Sequence, residues 1–176
     1  VIVGAGSMGL LHLLLLLAVN PETTVVLCDP MEERRQLALG LGARAAVPPG
    51  SGELTAAVMQ VTDGVGADGV FDTVGGGGPL AAGLETLRPG GTVILFAHAR
   101  EGEPAGFALN PFFKSELRLM GTYSGGLDDQ RRVAGLLSSG AFDPSPLVTH
   151  RVPLAGLAEA VSLATGRQAL KILVGG

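Results

Sequence analysis

The chain has 176 residues, 47% of them apolar and 16% charged, with a formal net charge of -4. That apolar fraction suits one folded domain, at most with an appendage, and excludes a disordered chain. A mildly acidic balance without a basic run excludes the electrostatic footprint of a nucleic-acid binder. The single cysteine, Cys28, excludes an internal disulfide and a thiolate cluster for zinc, so a reducing, cytoplasmic setting is expected.

Val1 to Val3 reads as a strand cut short at its start. The chain begins inside an apolar run, without Met or a basic leader, and reads as a fragment or the ordered part of something longer. Ser7 to Val19 is a helix buried almost all round. Its leucine block, Leu10 to Val19, is interrupted by His12 and falls well short of the roughly 20 apolar residues that span a bilayer. Thr23 to Cys28 ("TTVVLC") is a second strand, and Pro30 to Leu41 an amphipathic helix with Pro and acids in its first turn. Arg44 to Val47 is a third strand and Gly52 to Thr62 a helix ended by Asp63-Gly64. Gly69 to Thr73 is a fourth strand. Pro79 to Leu87 is a helix, stopped by Pro89-Gly90-Gly91, and Thr92 to Phe96 is a fifth strand. The segment Ala97 to Ser115 is a loop longer than packing requires, which points to function. Leu117 to Gly121 is a sixth strand, Leu127 to Ser139 and Leu154 to Thr165 are helices, and Leu170 to Val174 is a last strand.

Strands alternating with helices imply parallel pairing through right-handed crossovers. The expected fold is α/β: a doubly wound parallel sheet of Rossmann type, order 3-2-1-4-5-6, with helices on both faces. Val47 to Gly52 and Gly75 to Gly78 read as loops at strand ends.

"GAGSMG" places Gly4, Gly6 and Gly9 in the pattern G-x-G-x-x-G. Alone it is a weak signal in a glycine-rich chain. Here it follows a strand and opens a helix, the context of a dinucleotide site. Gly4 would permit the tight turn, Gly6 the approach of a pyrophosphate, and Gly9 close helix–strand packing. The free amides and the dipole at the helix start favour phosphate. Asp29 ends the second strand, at the distance from the glycines where an acid accepts the adenosine-ribose hydroxyls and repels a 2′-phosphate. NAD(H) is therefore favoured over NADP(H). Arg34 and Arg35 keep NADP open, since an arginine near this acid can hold a 2′-phosphate. Asp29 also fits as a cap on the helix that follows. Methyltransferases that use S-adenosylmethionine share the glycine loop and the acid, but "DTVGGGG" after the fourth strand lacks the substrate motif expected of them.

The succession "VGAGSMG", "LCDPMEERRQLALGLGA", "TDGVGADGVFDTVG", "LRPGGTVILFA", "NPFFKSELRLMGTYSG", "LVTHRVPLAGLAEAVSLA" and "LKILV" resembles the medium-chain dehydrogenases. It is most similar to their zinc-dependent alcohol and polyol branch, which includes sorbitol and threonine dehydrogenases. The resemblance implies a coenzyme domain over 1–147 and, over 148–176, a helix and strand returning toward a catalytic domain absent from this sequence. That other domain would carry the zinc and its ligands and most contacts to a small alcohol or polyol, so the chain alone would bind coenzyme without turnover. Cys28 stands where the family has no zinc ligand.

Carried over from that resemblance, Gly4, Gly6, Ser7, Met8 and Gly9 match the pyrophosphate loop and Asp29 the ribose acid. Arg34 matches a basic residue along the adenosine edge. Thr73, Val74 and Gly75 match the segment beside the nucleotide ribose. Ala97 and His98, then Tyr123 and Ser124, match backbone positions near the nicotinamide carboxamide. Lys171 matches a basic residue reaching the pyrophosphate. Blander readings stand beside these. His98 is more a backbone contributor than an acid–base catalyst, and His12 is a core or interface residue. His150 lies in an exposed connection, and Asp72 orders the end of its strand. Lys171 in an apolar strand needs a partner or an exit to solvent. The sixth strand is expected to be an open edge, which in the family pairs across a two-fold axis into a homodimer. Two other classes remain open: an NADPH-dependent quinone or enoyl reductase of the same superfamily, which Asp29 speaks against, and a non-enzymatic nucleotide sensor.

Overall fold

The structure, a computed structural model, describes residues 1–50, 52–166 and 168–175. Six parallel strands form the main sheet: β1 (Ile2–Val3), β2 (Val26–Cys28), β3 (Ala45–Val47), β4 (Ala67–Asp72), β5 (Leu87–Leu95) and β6 (Arg118–Gly121). Their order is β3-β2-β1-β4-β5-β6, the doubly wound order read from the sequence. Val3 pairs with Cys28 on one side and Asp72 on the other, so the winding reverses between β1 and β4. Ligands of open α/β sheets bind outside the carboxyl ends of the strands at such a reversal.

Side chains alternate across each strand, and the alternation builds two cores. Ile2 and Leu27 point toward α1 (Ser7–Val19) and α2 (Glu32–Gly40), where they meet Leu10, Leu13 and Ala38. Val3, Val26, Val70 and Val93 point toward α3 (Glu53–Val61) and α4 (Gly77–Leu84), where they meet Leu54, Val58 and Leu80. Ile2, Leu10, Leu13 and Leu27 are fully buried. Truncating any one of them to Ala would cost about 2–5 kcal/mol.

The structure corrects the reading from sequence in several places. The helix expected over Pro79 to Leu87 is α4, which starts at Gly77 and ends at Leu84. Thr86 then turns back, its hydroxyl donating to the Gly83 carbonyl at 2.7 Å. Leu87 already belongs to β5, so Pro89-Gly90-Gly91 is not a stop. Ala67 pairs with Leu87 and Gly69 with Thr92, and the bulge between these pairs absorbs the three turn-forming residues. β4 begins at Ala67 rather than Gly69, and β2 at Val26 rather than Thr23. The Ala97 to Ser115 segment contains a short helix, α5 (Leu109–Lys114). Beyond α6 (Leu127–Ser138), the connection that holds His150 is a strand, β7 (Val148–Val152). It pairs in parallel with β8 (Lys171–Val174) across α7 (Leu157–Thr165), in a two-stranded sheet separate from the main one. Leu147, buried against α1, fastens this pair to the core.

Candidate functional site

The glycine loop is built as its spacing requires. Gly4 ends β1 with φ +100°, a left-handed conformation that side chains rarely adopt. Its amide donates to the Cys28 carbonyl at 2.7 Å, and a Cβ there would meet the Thr73 hydroxyl at 2.7 Å. A Cβ on Gly9 would collide with the Gly4 carbonyl, so α1 packs on the loop only because Gly9 lacks one. Gly6 is different: its nearest neighbour is the Arg34 guanidinium, 4.0 Å from where a Cβ would stand. That open face, at an α1 start with no side-chain cap and no acid in its first turn, is free for an anion.

Asp29 is buried, and its carboxylate joins two loops. Oδ2 accepts the Ala5 amide at 2.7 Å and Oδ1 accepts the Met31 amide at 2.8 Å. Met31 is the cap position of α2, so Asp29 serves that helix too. A carboxylate has about four acceptor sites, which leaves room for ribose hydroxyls. Burial, then the charge of Asp29, pushes the neighbouring Cys28 thiol up. The two arginines divide their work. Arg35 donates to the carbonyls of Asp29 (2.7 Å) and Pro30 (3.0 Å) and pairs with Glu32. Arg34 instead lines a cleft of about 450 Å³ with Ser7 and Lys171. Ser7 is held there by donating to the Leu170 carbonyl at 2.6 Å. Lys171 solves its placement in an apolar strand by pointing to solvent.

The other sequence-identified residues stand at the same edge of the sheet. Thr73 donates to the Val3 carbonyl at 2.8 Å, tying β4's end to β1. Asp72 is buried; its Oδ1 accepts the amides of Val74 (3.0 Å) and Gly75 (2.9 Å), while Oδ2 has no partner. It orders the strand end. Gly75 packs so closely on His98 that a Cβ would collide with the His98 carbonyl. The rings of His98 and Tyr123 meet edge to face, 5.5 Å apart, which joins the ends of β5 and β6. Ser124 follows with φ +63°. His12 lies apart from this set, half-buried, with its ring packed on Phe71 and Phe96. A larger cleft, about 590 Å³, opens at the opposite edge around Val1, Thr24 and Asp68, lined by none of the sequence-identified site residues.

One residue of this edge escaped the sequence reading. Glu103 accepts the Gly77 amide at 3.0 Å, and that bond, with a second from the Arg100 amide, holds its carboxyl below the usual range. The signal was the glycine run together with the long loop after β5. Among the described residues, no three His, Cys, Asp or Glu side chains stand close enough together to hold a metal ion. No described helix is long and apolar enough to cross a membrane.

Known proteins resemble this chain in sequence and fold. The L-threonine 3-dehydrogenase of Caldanaerobacter subterraneus is 28% identical over 98% of this chain and 50% of its own length. A zinc-binding dehydrogenase structure from Sinorhizobium meliloti, bound to NADP, is 27% identical with a TM-score of 0.86, covering 99% of this chain and 51% of that one. An Escherichia coli alcohol dehydrogenase structure complexed with NADH shares the fold, with a TM-score of 0.86, 22% identity and the same coverage. The chain thus spans about half the length of the relatives it matches. Residues 8–139 match the zinc-binding dehydrogenase family, and the chain belongs to that family as its coenzyme-binding region.

Proposed function

We propose that this chain binds NAD(H) and presents the nicotinamide for hydride transfer in a zinc-dependent alcohol or polyol dehydrogenase. The observation that carries the reading is the open face of Gly6 beside the buried carboxylate of Asp29. A nicotinamide coenzyme, when bound, supplies the hydride acceptor and donor. The chain's own residues do the positioning. The α1 amides and Lys171 receive the pyrophosphate, and Asp29 and Arg34 receive the adenosine ribose. Thr73, Val74 and Gly75 line the nicotinamide ribose. Backbone at Ala97, His98, Tyr123 and Ser124 orients the carboxamide. Fixing these parts lowers the barrier through orientation.

In this reading the metal and the alcohol or polyol belong to the part of the longer relatives that this chain does not span. In this reading 1–147 is the coenzyme unit and 148–176 runs toward that part. The lone reduced thiol suits a cytoplasmic setting. The exposed edge β6 supports pairing into a homodimer.

Calorimetric titration with NADH and, separately, NADPH tests the reading. Preference for NADH supports it. Preference for NADPH would favour the reductase alternative; NADP(H) as the coenzyme has the support of Arg34 at the cleft and of the zinc-binding dehydrogenase from Sinorhizobium bound to NADP. Binding of neither would sink both.

A further inference from the structure

The run Gly75-Gly76-Gly77 has no role in the pyrophosphate loop, yet all three residues lie against a single segment. A Cβ on Gly75 would collide with the His98 carbonyl. On Gly76 (φ +97°) it would lie 2.7 Å from Glu103 Oε1, and on Gly77 3.0 Å from the Pro104 carbonyl. The glycines are therefore the seat on which the loop between β5 and α5 rests. That loop is fastened at its start by the Phe96 and Ala97 amides, which donate to the Asp72 carbonyl at 3.0 and 3.2 Å. At its end Phe107 packs into the core and on Phe112, with ring centroids 5.1 Å apart. Between these anchors, besides the His98 ring on Tyr123, the side-chain hydrogen bond from this loop to the rest of the fold, among the described residues, is that of Glu103: Oε1 accepts the Gly77 amide at 3.0 Å, while Oε2 closes the local turn on the Arg100 amide at 3.4 Å. Behind the tie, Val74, Gly75 and Pro79 face Arg100 to Glu103 across a cleft of about 560 Å³.

We propose that Glu103 is a positioning residue for the nicotinamide half of the coenzyme: it latches the β5–α5 loop onto Gly77, so that Val74 and His98 stand as one wall. The proposal rests on the coenzyme reading above, which puts Thr73 to Gly75 and Ala97 to His98 on either side of the nicotinamide riboside. Glu103 touches no coenzyme in this account. It acts through the backbone of the two segments, and its charge-assisted bond to a backbone amide is of the stronger kind. The adenosine half, held by Gly6, Asp29 and Arg34, lies across the sheet reversal and is independent of the latch.

The test compares Glu103→Ala and Glu103→Gln with the parent chain, by calorimetry with NADH and with ADP, which lacks the whole nicotinamide riboside. Amide exchange at Gly77 reports the latch directly. Glu103→Ala is expected to speed exchange at Gly77 and weaken NADH about five- to tenfold, the scale of one lost hydrogen bond, while ADP stays within about twofold. Glu103→Gln keeps an acceptor and is expected to recover most of the loss. Unchanged NADH affinity in Glu103→Ala, or equal weakening of both ligands, overturns the positioning role while leaving the coenzyme site standing. A parent chain that binds neither ligand overturns both.

Discussion

The amide of Ala5 and the carboxylate of Asp29 are 2.7 Å apart although 24 positions separate them in sequence. This one buried bond ties the glycine loop after β1 to the end of β2. The residue that the motif assigns to a ribose is therefore also a structural clasp, and the two roles separate by experiment.

Asp29→Ala removes the acceptor for both Ala5 and Met31. One buried and one part-buried amide facing an apolar methyl should cost about 2–3 kcal/mol of stability. Asp29→Asn keeps one acceptor oxygen and should cost about half as much. Both should weaken NADH by about tenfold or more, since neither presents a carboxylate to the ribose. Urea unfolding and calorimetry on the same samples would read the two effects. Weakened NADH with full stability would deny the clasp.

Gly6→Ala and Gly9→Ala should fail in different ways. At Gly9 the new Cβ meets backbone that cannot yield, so destabilisation of about 3 kcal/mol or more is expected, with loss of binding following loss of fold. At Gly6 the Cβ meets only the tip of Arg34, so stability should stay within about 1 kcal/mol while NADH affinity drops. Thermal unfolding beside titration distinguishes the two. A well-folded Gly9→Ala would contradict the contact.

Every residue of β6 is exposed, with Met120 half open, and the strand has a neighbour on one side. If this edge carries the proposed homodimer, Met120→Lys should halve the mass seen by light scattering without lowering the melting temperature, because the side chain is not in the core. A parent chain that sediments as a monomer at high concentration would refute the assembly.

Much of the fold was legible because its signals are local. The alternation of strands and helices and the apolar runs of Val26–Cys28 and Val93–Leu95 report short-range geometry. The glycine spacing reports the same, and the strand order followed from topology rules. The strand through Pro89-Gly90-Gly91 was not legible, since those residues are turn formers and only pairing with β4 makes them a bulge. Nor was β7, whose partner β8 lies about 20 residues away across a helix. α5 was hidden by brevity, and propensity says little over so short a span.

At the site the division is similar. The sequence by itself determined which residue types stand at the carboxyl edge: glycines with defined backbone tasks, an acid after β2, a lysine in the last strand. Those follow from what each side chain, or its absence, permits. Only the tertiary structure showed what each arginine touches: the Arg35 guanidinium is held by the carbonyls of Asp29 and Pro30, while Arg34 lines the cleft. Only it brought the rings of His98 and Tyr123 together and set Glu103 on Gly77. Those contacts join segments distant in the chain, and no local pattern encodes a partner that folding alone delivers.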